Sequence, residues 1–330
     1  MALLESSTMR KPLKIALSVI GGIVALPVVL LGATAIVNAI ATKSDVEAIA
    51  SYGTLVPVAG KQMNVVDTGA PAGAGGEPET IVLLPGLGTA APALDFAPLI
   101  SQLEGTHRVI AVEPFGTGLS DQTEVPRTAE NITTEVHEAL QHLDVERYVL
   151  MGHSISGIYA LEYSRAYADE LIAFVGIDSS VPDQPGWDEP LPTEGLSVLQ
   201  NLGVMRALNA ISGESDEDLP HDEATREQMR LLATKNGFAP TLLDEMSRTR
   251  ENFANVSGAS FPASLPLLLF VADDATDEDA AGWLEIHERQ AATVDHGEVV
   301  SLPGEHYLHY TQSAQIARDT DAFLGALAGG

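Results

Sequence analysis

Short runs of aliphatic and β-branched residues alternate with stretches of helical spacing along most of this chain after residue 50. The runs are TLVPVAG, KQMNVVDTG, TIVLLPG, HRVIAVEP, RYVLMG, LIAFVGID, PLLLFVA and GEVVSLPG. Apolar strands separated by amphipathic helices are typical of a sheet that is buried on both faces. The alternation therefore predicts an α/β fold with a mostly parallel, doubly wound sheet, built from residues 50–178 and 266–328.

The alternation stops at Ser179 and resumes only after Leu265. Three helical stretches occur there instead, near 194–211, 222–235 and 239–254. No strand pattern comparable to the others accompanies them. The sequence therefore predicts a helical cap, residues 179–265, inserted into the α/β core.

Large apolar residues recur at helical spacing in the first of these stretches. They are Leu196, Leu199, Leu202, Met205 and Leu208. Such a stripe either lines a pocket for an acyl chain or packs the cap against the core. The spacing alone leaves both interpretations open.

The segment from Ile15 to Thr42 contains no charged side chain. It is longer than the roughly 20 residues that a helix needs to cross a hydrocarbon core. Three basic residues precede it: Arg10, Lys11 and Lys14. Because basic residues flank the cytoplasmic side of a span, we predict a cytoplasmic N-terminus (1–14), a transmembrane anchor or signal segment (15–41), and export of the rest of the chain.

A cleavable signal peptide is the alternative to an anchor. The small residues ATA (33–35) resemble a cleavage site at the end of an apolar run. The apolar character continues past them through IVNAIA (36–41), however. This continuation favours an uncleaved anchor with an extracytoplasmic domain, whereas cleavage would release a secreted protein.

The composition excludes several classes of function. The formal net charge is −29, with 46 acidic and 17 basic residues. A phosphate backbone would be repelled by such a field, so nucleic acid is not an expected partner. The chain has no cysteine, which excludes disulfides, thiolate catalysis and zinc-thiolate sites. The oligomeric state has no signature in the sequence.

The stretch MGHSISGIY places Ser154 between a strand pattern and a helix pattern. A chain that turns sharply from strand to helix exposes the turn residue, and only small residues fit two positions to either side. Gly152 and Ser156 occupy those positions. Ser154 is therefore a candidate nucleophile, and the backbone N–H of Ile155 would face an oxyanion at the start of the helix.

Three segments resemble motifs of the α/β-hydrolase family. GHSISG resembles G-H-S-x-G-G, with Ser156 in place of a glycine. LLPGLGT resembles the oxyanion-loop segment H-G-x-G, with Pro85 in place of the histidine. EPFGTGLSD resembles the turn D-x-x-G-x-G-x-S, with Glu113 in place of the aspartate. The likeness covers about residues 50–328 and implies a serine hydrolase with a helical cap.

The resemblance implies a base and an oxyanion hole for this serine. The histidine is expected after the last strand, where VVSLPGEHYLHY provides His306 as the base and His309 as the alternative. The backbone N–H of Leu87 would join that of Ile155 in the oxyanion hole. A metal or organic cofactor is not expected for such a mechanism.

The acid that orients the histidine has several candidates. Asp274 and Asp273 follow the strand PLLLFVA, where the family places its acid, and we favour Asp274. Asp178 ends the preceding strand, and some family members place the acid there. A carboxylate at any of these positions would fix the tautomer of the histidine and stabilise its protonated form.

The expected function is hydrolysis of a carboxylic ester through an acyl-enzyme, by an exported, membrane-anchored enzyme with a small or lipid-like acyl substrate. An amide or peptide bond is the second candidate substrate. A serine at the turn argues against the haloalkane dehalogenase and epoxide hydrolase members, which use aspartate there. The alternative function is a ligand-binding or signalling protein of the same fold with little or no turnover.

Overall fold

The computed structural model describes residues 10–71, 78–212, 219–274 and 280–329, and within them eight strands form one sheet. They are β1 (Thr54–Val58), β2 (Lys61–Asp67), β3 (Thr80–Leu84), β4 (Arg108–Glu113), β5 (Tyr148–His153), β6 (Leu171–Ile177), β7 (Leu267–Asp273) and β8 (Gly297–Pro303). Each strand lies on one of the apolar runs identified in the sequence.

The strand order across the sheet is β1-β2-β4-β3-β5-β6-β7-β8. The strand β2 pairs antiparallel with β1 and β4, and every other pair is parallel. The predicted mostly parallel α/β sheet is therefore confirmed. The order reverses at β3, which lies between β4 and β5. In open α/β sheets, ligands bind beyond the carboxyl ends of the strands at such a reversal.

Successive residues of the central strands enter two separate hydrophobic layers. In β5, Tyr148 and Leu150 belong to one layer, and Val149 and Met151 belong to the other. All four are completely buried. Because side chains alternate across a strand, a sheet covered on both faces requires a continuous apolar run. This requirement explains why RYVLMG shows no polar alternation.

Helices cover both faces of the sheet, fill the insertion between β6 and β7, and precede the first strand in the chain. They are α1 (Arg10–Ala48), α2 (Pro92–Asp95), α3 (Ala97–Leu103), α4 (Ala129–His142), α5 (Ser156–Tyr167), α6 (Leu196–Asn201), α7 (Val204–Ser212), α8 (Glu223–Asn236), α9 (Pro240–Val256), α10 (Ala280–Ala291), α11 (Leu308–Thr311) and α12 (Ser313–Gly329). The side chains of α4 and α5 join the layer of Leu150, and those of α3 and α12 join the layer of Val149.

The helix predicted near 194–211 is two helices, α6 and α7. Gly203 lies between them with φ of 75°. A Cβ at this glycine would lie 2.8 Å from Cβ of Asn38 and 3.0 Å from the carbonyl oxygen of Thr34. A left-handed glycine in close contact with another helix interrupts α6–α7, and the spacing of the leucines gave no sign of it.

Two compact units make up the described chain. The first unit contains the described parts of residues 1–47 and 194–215, and the second contains those of 48–193 and 216–330. The predicted cap (179–265) is thereby divided: α6 and α7 belong with α1, whereas α8 and α9 belong with the sheet.

One helix of the described chain has the length and apolar composition of a membrane span. It is α1, in which residues 28–48 meet both criteria. Large apolar side chains on this helix are exposed, among them Val29 at 66% and Ile40 at 68%. An N-terminal helix of this kind fits a membrane anchor or a signal sequence.

A matched pair of leucines tests the two-layer packing. Leu150 is completely buried in β5, whereas Leu55 on the edge strand β1 is 51% exposed. Leu150→Ala should lower the free energy of unfolding by about 2–5 kcal/mol through lost burial and a cavity. Leu55→Ala should change it by less than about 0.5 kcal/mol. Guanidinium unfolding followed by circular dichroism measures both, and equal effects would contradict the assignment of Leu150 to the core.

Candidate active site

Ser154 occupies the turn between β5 and α5 in a left-handed conformation, with φ of 54°. For a residue with a side chain this conformation costs about 1–3 kcal/mol. The carbonyl oxygen of Ser154 accepts backbone hydrogen bonds from Gly157 (3.0 Å) and Ser180 (2.8 Å), which hold the turn. The side chain of Ser154 is half-buried at this turn.

Small residues surround the turn because other chain segments pack against it. A Cβ at Gly157 would lie 2.2 Å from the carbonyl oxygen of Ser180, and one at Gly152 would lie 2.9 Å from Cβ of Ser156. Real Cβ atoms do not approach this closely. The turn therefore requires residues without larger side chains at Gly152 and Gly157, as the local sequence GHSISG provides.

His306 connects the serine to a carboxylate. Its Nε2 lies 3.0 Å from Oγ of Ser154, and its Nδ1 lies 2.5 Å from Oδ2 of Asp178. With a carboxylate on Nδ1, that nitrogen carries the proton, and Nε2 is free to accept the proton of the serine hydroxyl. The structure therefore brings together Ser154, His306 and Asp178.

Asp178 is buried at 4% exposure directly after β6, also in a left-handed conformation with φ of 43°. Its Oδ1 accepts hydrogen bonds from the backbone N–H of Ala272 (3.0 Å) and from Nε1 of Trp283 (2.7 Å). Burial alone raises the pKa of Asp178, but the hydrogen bonds from His306, Ala272 and Trp283 bring this pKa below its usual value. The carboxylate is therefore ionised where it faces the imidazole.

Among the candidate acids the structure places Asp178 within hydrogen-bond distance of His306, whereas the sequence favoured Asp274. Asp273 is the last residue of β7 and is exposed, and its carbonyl oxygen accepts a hydrogen bond from the Gly304 N–H. The position on Nδ1 of His306 is taken by Asp178 because its left-handed turn directs the carboxylate toward the end of the neighbouring strand. The position of Asp178 at a strand end was the one signal for it in the sequence.

His309, the alternative base, is engaged elsewhere. It is completely buried, and its Nε2 lies 2.8 Å from Oδ2 of Asp95. Burial raises the pKa of Asp95, but hydrogen bonds from His309 and Tyr310 bring it below the usual value. The structure thus pairs His309 with Asp95, whereas the imidazole within hydrogen-bond distance of Ser154 is that of His306.

His153 supports His306 from behind. Its Nε2 donates a hydrogen bond to the carbonyl oxygen of His306 at 3.1 Å, and the two rings lie 4.6 Å apart. Burial, with the nearby His309 and His306, lowers the pKa of His153 to about 3. A neutral ring can pack against His306 without repelling its protonated form.

The loop after β3 packs against the serine turn. A Cβ at Gly86 would lie 3.1 Å from Cβ of Ser154, so the backbone of this loop approaches the serine closely. Oγ of Ser156 donates a hydrogen bond to the carbonyl oxygen of Pro85 at 2.5 Å. Two of the three departures from the family motifs, Ser156 and Pro85, are therefore in direct contact. The loop continues into Leu87, the residue predicted to donate to the oxyanion.

Glu113 holds the turn that follows β4. Its carboxyl group is completely buried and accepts hydrogen bonds from the hydroxyl of Tyr52 (2.7 Å), from Nδ2 of Asn64 (2.9 Å) and from the N–H of Leu119 (2.8 Å). Burial raises the pKa of Glu113 despite these donors. The N–H of Gly118 in this turn bonds to the carbonyl of Ala90 at 2.8 Å.

Two further observations concern partners of the site. Trp283 on α10, which bonds to Asp178, had no signal in the sequence to mark it.

Within the described ranges, no three His, Asp or Glu side chains converge in an arrangement that would hold a metal ion.

Comparisons with known proteins agree with this architecture. The sequence profile of the Alpha/beta hydrolase family matches residues 81–319. The protein "Uncharacterized protein YbdG" of Bacillus subtilis (strain 168) is 25% identical over 287 residues, which are 82% of this chain and 85% of that protein.

Solved structures show the same fold. An esterase from Thermogutta terrifontis superposes with a TM-score of 0.61 at 19% identity, over 84% of this chain and 99% of that one. An epoxide hydrolase mutant from Vigna radiata superposes with a TM-score of 0.64 at 15% identity, over 83% of this chain and 98% of that one. At such identities the likeness concerns the fold alone.

The buried, neutral state of His153 predicts a pH-dependent stability. Because its pKa of about 3 lies below the value of about 6.5 in an unfolded chain, only the unfolded state binds a proton between these values. The stabilisation is thus complete above about pH 6.5 and declines below it by about 1.4 kcal/mol per pH unit, until about pH 3.

The variant His153→Gln removes this titration while keeping an amide donor for the carbonyl of His306. The unfolding free energy of the wild type minus that of the variant should be constant at neutral and basic pH and fall as the pH decreases below about 6.5. Guanidinium unfolding at a series of pH values measures the difference. A difference independent of pH would show that His153 titrates alike in both states.

Proposed function

Because this chain belongs to the alpha/beta hydrolase family, we propose that it is a membrane-anchored serine hydrolase that cleaves carboxylic esters through an acyl-enzyme. A nucleophile of this kind needs a base within hydrogen-bond reach and a group that orients the base. The proposal is carried by one observation: Ser154, His306 and Asp178 form a continuous hydrogen-bonded series, with atom separations of 3.0 and 2.5 Å.

The chemistry follows from the donors and acceptors in this series. Oγ of Ser154 attacks the carbonyl carbon of the ester while Nε2 of His306 takes its proton. The protonated imidazole then gives that proton to the departing alcohol, which leaves an acyl group on Ser154. A water molecule, deprotonated by the same nitrogen, attacks the acyl carbon, and the protonated imidazole returns its proton to Oγ of Ser154 as the acid is released. The ionised Asp178 stabilises the imidazolium in both steps.

The negative charge that develops on the carbonyl oxygen needs donors from the backbone. We assign this role to the N–H groups of Leu87 and Ile155. Support comes from the position of the loop, since Pro85 is bonded to Ser156 and Gly86 lies against Ser154. Backbone donors held in this way need no reorganisation when the charge appears, and neither step requires a metal or an organic cofactor.

An ester is the proposed substrate class, with an amide or peptide bond as the second candidate. The name of the Thermogutta terrifontis structure, an esterase, is consistent with this assignment. The likeness to an epoxide hydrolase concerns the fold, and this chain has a serine at the nucleophile position. The acyl part of the substrate is a small molecule or is lipid-like.

Residues 15–41 are proposed to anchor the enzyme, with the catalytic unit on the extracytoplasmic side. The exposed apolar side chains of α1 support this, because such a surface is stable in lipid and costly in water. The three basic residues before the span support a cytoplasmic N-terminus.

A fluorophosphonate probe tests the nucleophile directly. We expect stoichiometric labelling at Ser154 and complete loss of labelling in Ser154→Ala, read by mass spectrometry of the full chain in detergent. The exposed Ser101 provides a matched control, since Ser101→Ala should label like the wild type. A folded wild-type chain that neither labels nor cleaves p-nitrophenyl acetate would favour the binding or signalling alternative.

A pair of aspartate substitutions separates the candidate acids. Asp178→Asn should lower kcat for p-nitrophenyl esters by about 10⁴-fold, because an amide at this position stabilises the wrong imidazole tautomer and no imidazolium. Asp274→Asn, its isosteric control, should change kcat by less than about tenfold. Steady-state kinetics measure both. The opposite ranking would assign the acid to Asp274 after all.

A further inference from the structure

Polar groups lie at the interface between α7 and α1 in the first unit. Nε of Arg206 donates a hydrogen bond to Oδ1 of Asn38 at 3.0 Å, and another guanidinium nitrogen donates to Oγ1 of Thr42 at 3.2 Å. The same nitrogen lies 2.9 Å from Oδ2 of Asp45. The arginine of α7 is therefore directed toward α1.

The contact between α6 and α1 has the same character. Nδ2 of Asn38, which is 8% exposed, donates to the carbonyl oxygen of Gln200 at 2.9 Å. Gly203 lets the backbones approach, since a Cβ there would meet Asn38 at 2.8 Å. A small residue and side-chain hydrogen bonds between helices are the devices that hold helices together in lipid.

The outward faces of these helices carry large exposed apolar side chains, and the one polar side chain described as exposed on α6 is that of Asn201 at its end. On α7 the exposed positions are Ala207, Leu208, Ala210 and Ile211, with Leu208 at 54% and Ile211 at 82% exposure. On α6, Val198 and Leu199 are 56% and 39% exposed. On the adjoining part of α1, Ile36, Val37 and Ile40 are 63–68% exposed. The apolar surface of α1 thus continues in the same unit on α6 and α7.

The polarity of this unit is the reverse of that expected in water. A helix on a water-soluble domain buries its apolar face and exposes its charges. Here Arg206 and Asn38 face inward, and leucine, isoleucine and valine face outward. In membranes, ionisable residues face the helix interface and pair there, and apolar side chains face the lipid.

We propose that the α6–α7 segment (196–212) is embedded in the membrane beside α1, at the depth of the lipid headgroups and the upper acyl chains. At 1.5 Å per residue, α6 and α7 are about 9 and 13 Å long, so neither can span a bilayer. Arg206 contacts α1 in the last turn of the anchor (15–41) or beyond it, at Asn38, Thr42 and Asp45. The contacts therefore fall at the outer surface of the membrane, where helices with an apolar face reside.

The proposed occupant of this apolar surface is the bilayer itself. Continuity with the exposed face of α1 favours it, because the lipid around the anchor reaches the adjoining faces of α6 and α7. The proposal rests on the anchoring part of the proposed function and is independent of the hydrolase chemistry.

The absence of cysteine from the chain allows a direct measurement. Single variants Ile211→Cys and Leu208→Cys of the full-length protein would each carry an environment-sensitive nitrobenzoxadiazole label. The protein would be reconstituted in phosphatidylcholine vesicles with or without nitroxide-bearing lipid. Val29→Cys on α1 reports the anchor, and Ser101→Cys, exposed on α3, reports water.

We expect the labels at 211, 208 and 29 to emit at shorter wavelength than the label at 101, and to lose most of their emission when the nitroxide lipid is present. If the label at position 29 is quenched while the labels at 211 and 208 emit as in water, the proposal is overturned, although the assignment of α1 as the anchor stands. Blue-shifted emission at 211 without quenching by lipid would assign the surface to a second copy or a protein partner instead. Water-like emission at all positions would overturn the anchor as well, while activity toward p-nitrophenyl acetate would report on the hydrolase independently.

Discussion

The left-handed turn at Ser154 is the constraint on which the rest of the site depends. A residue with a side chain adopts this conformation only if its surroundings compensate the strain. Here the compensation comes from two backbone hydrogen bonds to the carbonyl of Ser154 and from the close packing of Gly152 and Gly157. The central strand β5, buried in both hydrophobic layers, fixes where the turn occurs. The fold therefore stores strain at the position where the hydroxyl of Ser154 meets the imidazole of His306.

Asp178 also has a left-handed backbone conformation. Its turn positions the carboxylate, as the turn at Ser154 positions the nucleophilic hydroxyl. Its carboxylate joins three elements, since it binds the N–H of Ala272 on β7, the indole of Trp283 on α10 and the imidazole of His306. Burial opposes the charge, and these donors overcome that opposition. Behind His306, the neutral ring of His153 adds support without competing charge. The site is thus held by the ends of neighbouring parallel strands rather than by one loop.

The parts of this arrangement that depend on local pattern could be predicted from the sequence, and those that depend on side-chain direction could not. The strands, Ser154 and His306 are marked by apolar runs and by residues at fixed positions after them. The choice between Asp178 and Asp274 depends on how a carboxylate points after its strand ends, and both positions follow a strand. Trp283 and the contact of Ser156 with Pro85 arise from segments distant in the chain. The break at Gly203 was hidden because leucines continue at helical spacing across it.

The charge distribution suggests that different parts of this chain meet different solvents. The net charge of −29 is that of a surface in water, yet no charge occurs between Ile15 and Thr42, and Arg206 of α7 faces inward. A signal sequence needs only an apolar run, whereas α1 also supplies Asn38, Thr42 and Asp45 to partners in α6 and α7. The helix continues without interruption through residues 33–35, and the carbonyl of Thr34 lies against Gly203. The side-chain contacts of α1 with α6 and α7 lie after residues 33–35, at Asn38, Thr42 and Asp45, so either processing outcome would retain them. The packing therefore gives the C-terminal part of α1, from Asn38 to Asp45, a structural role within the first unit.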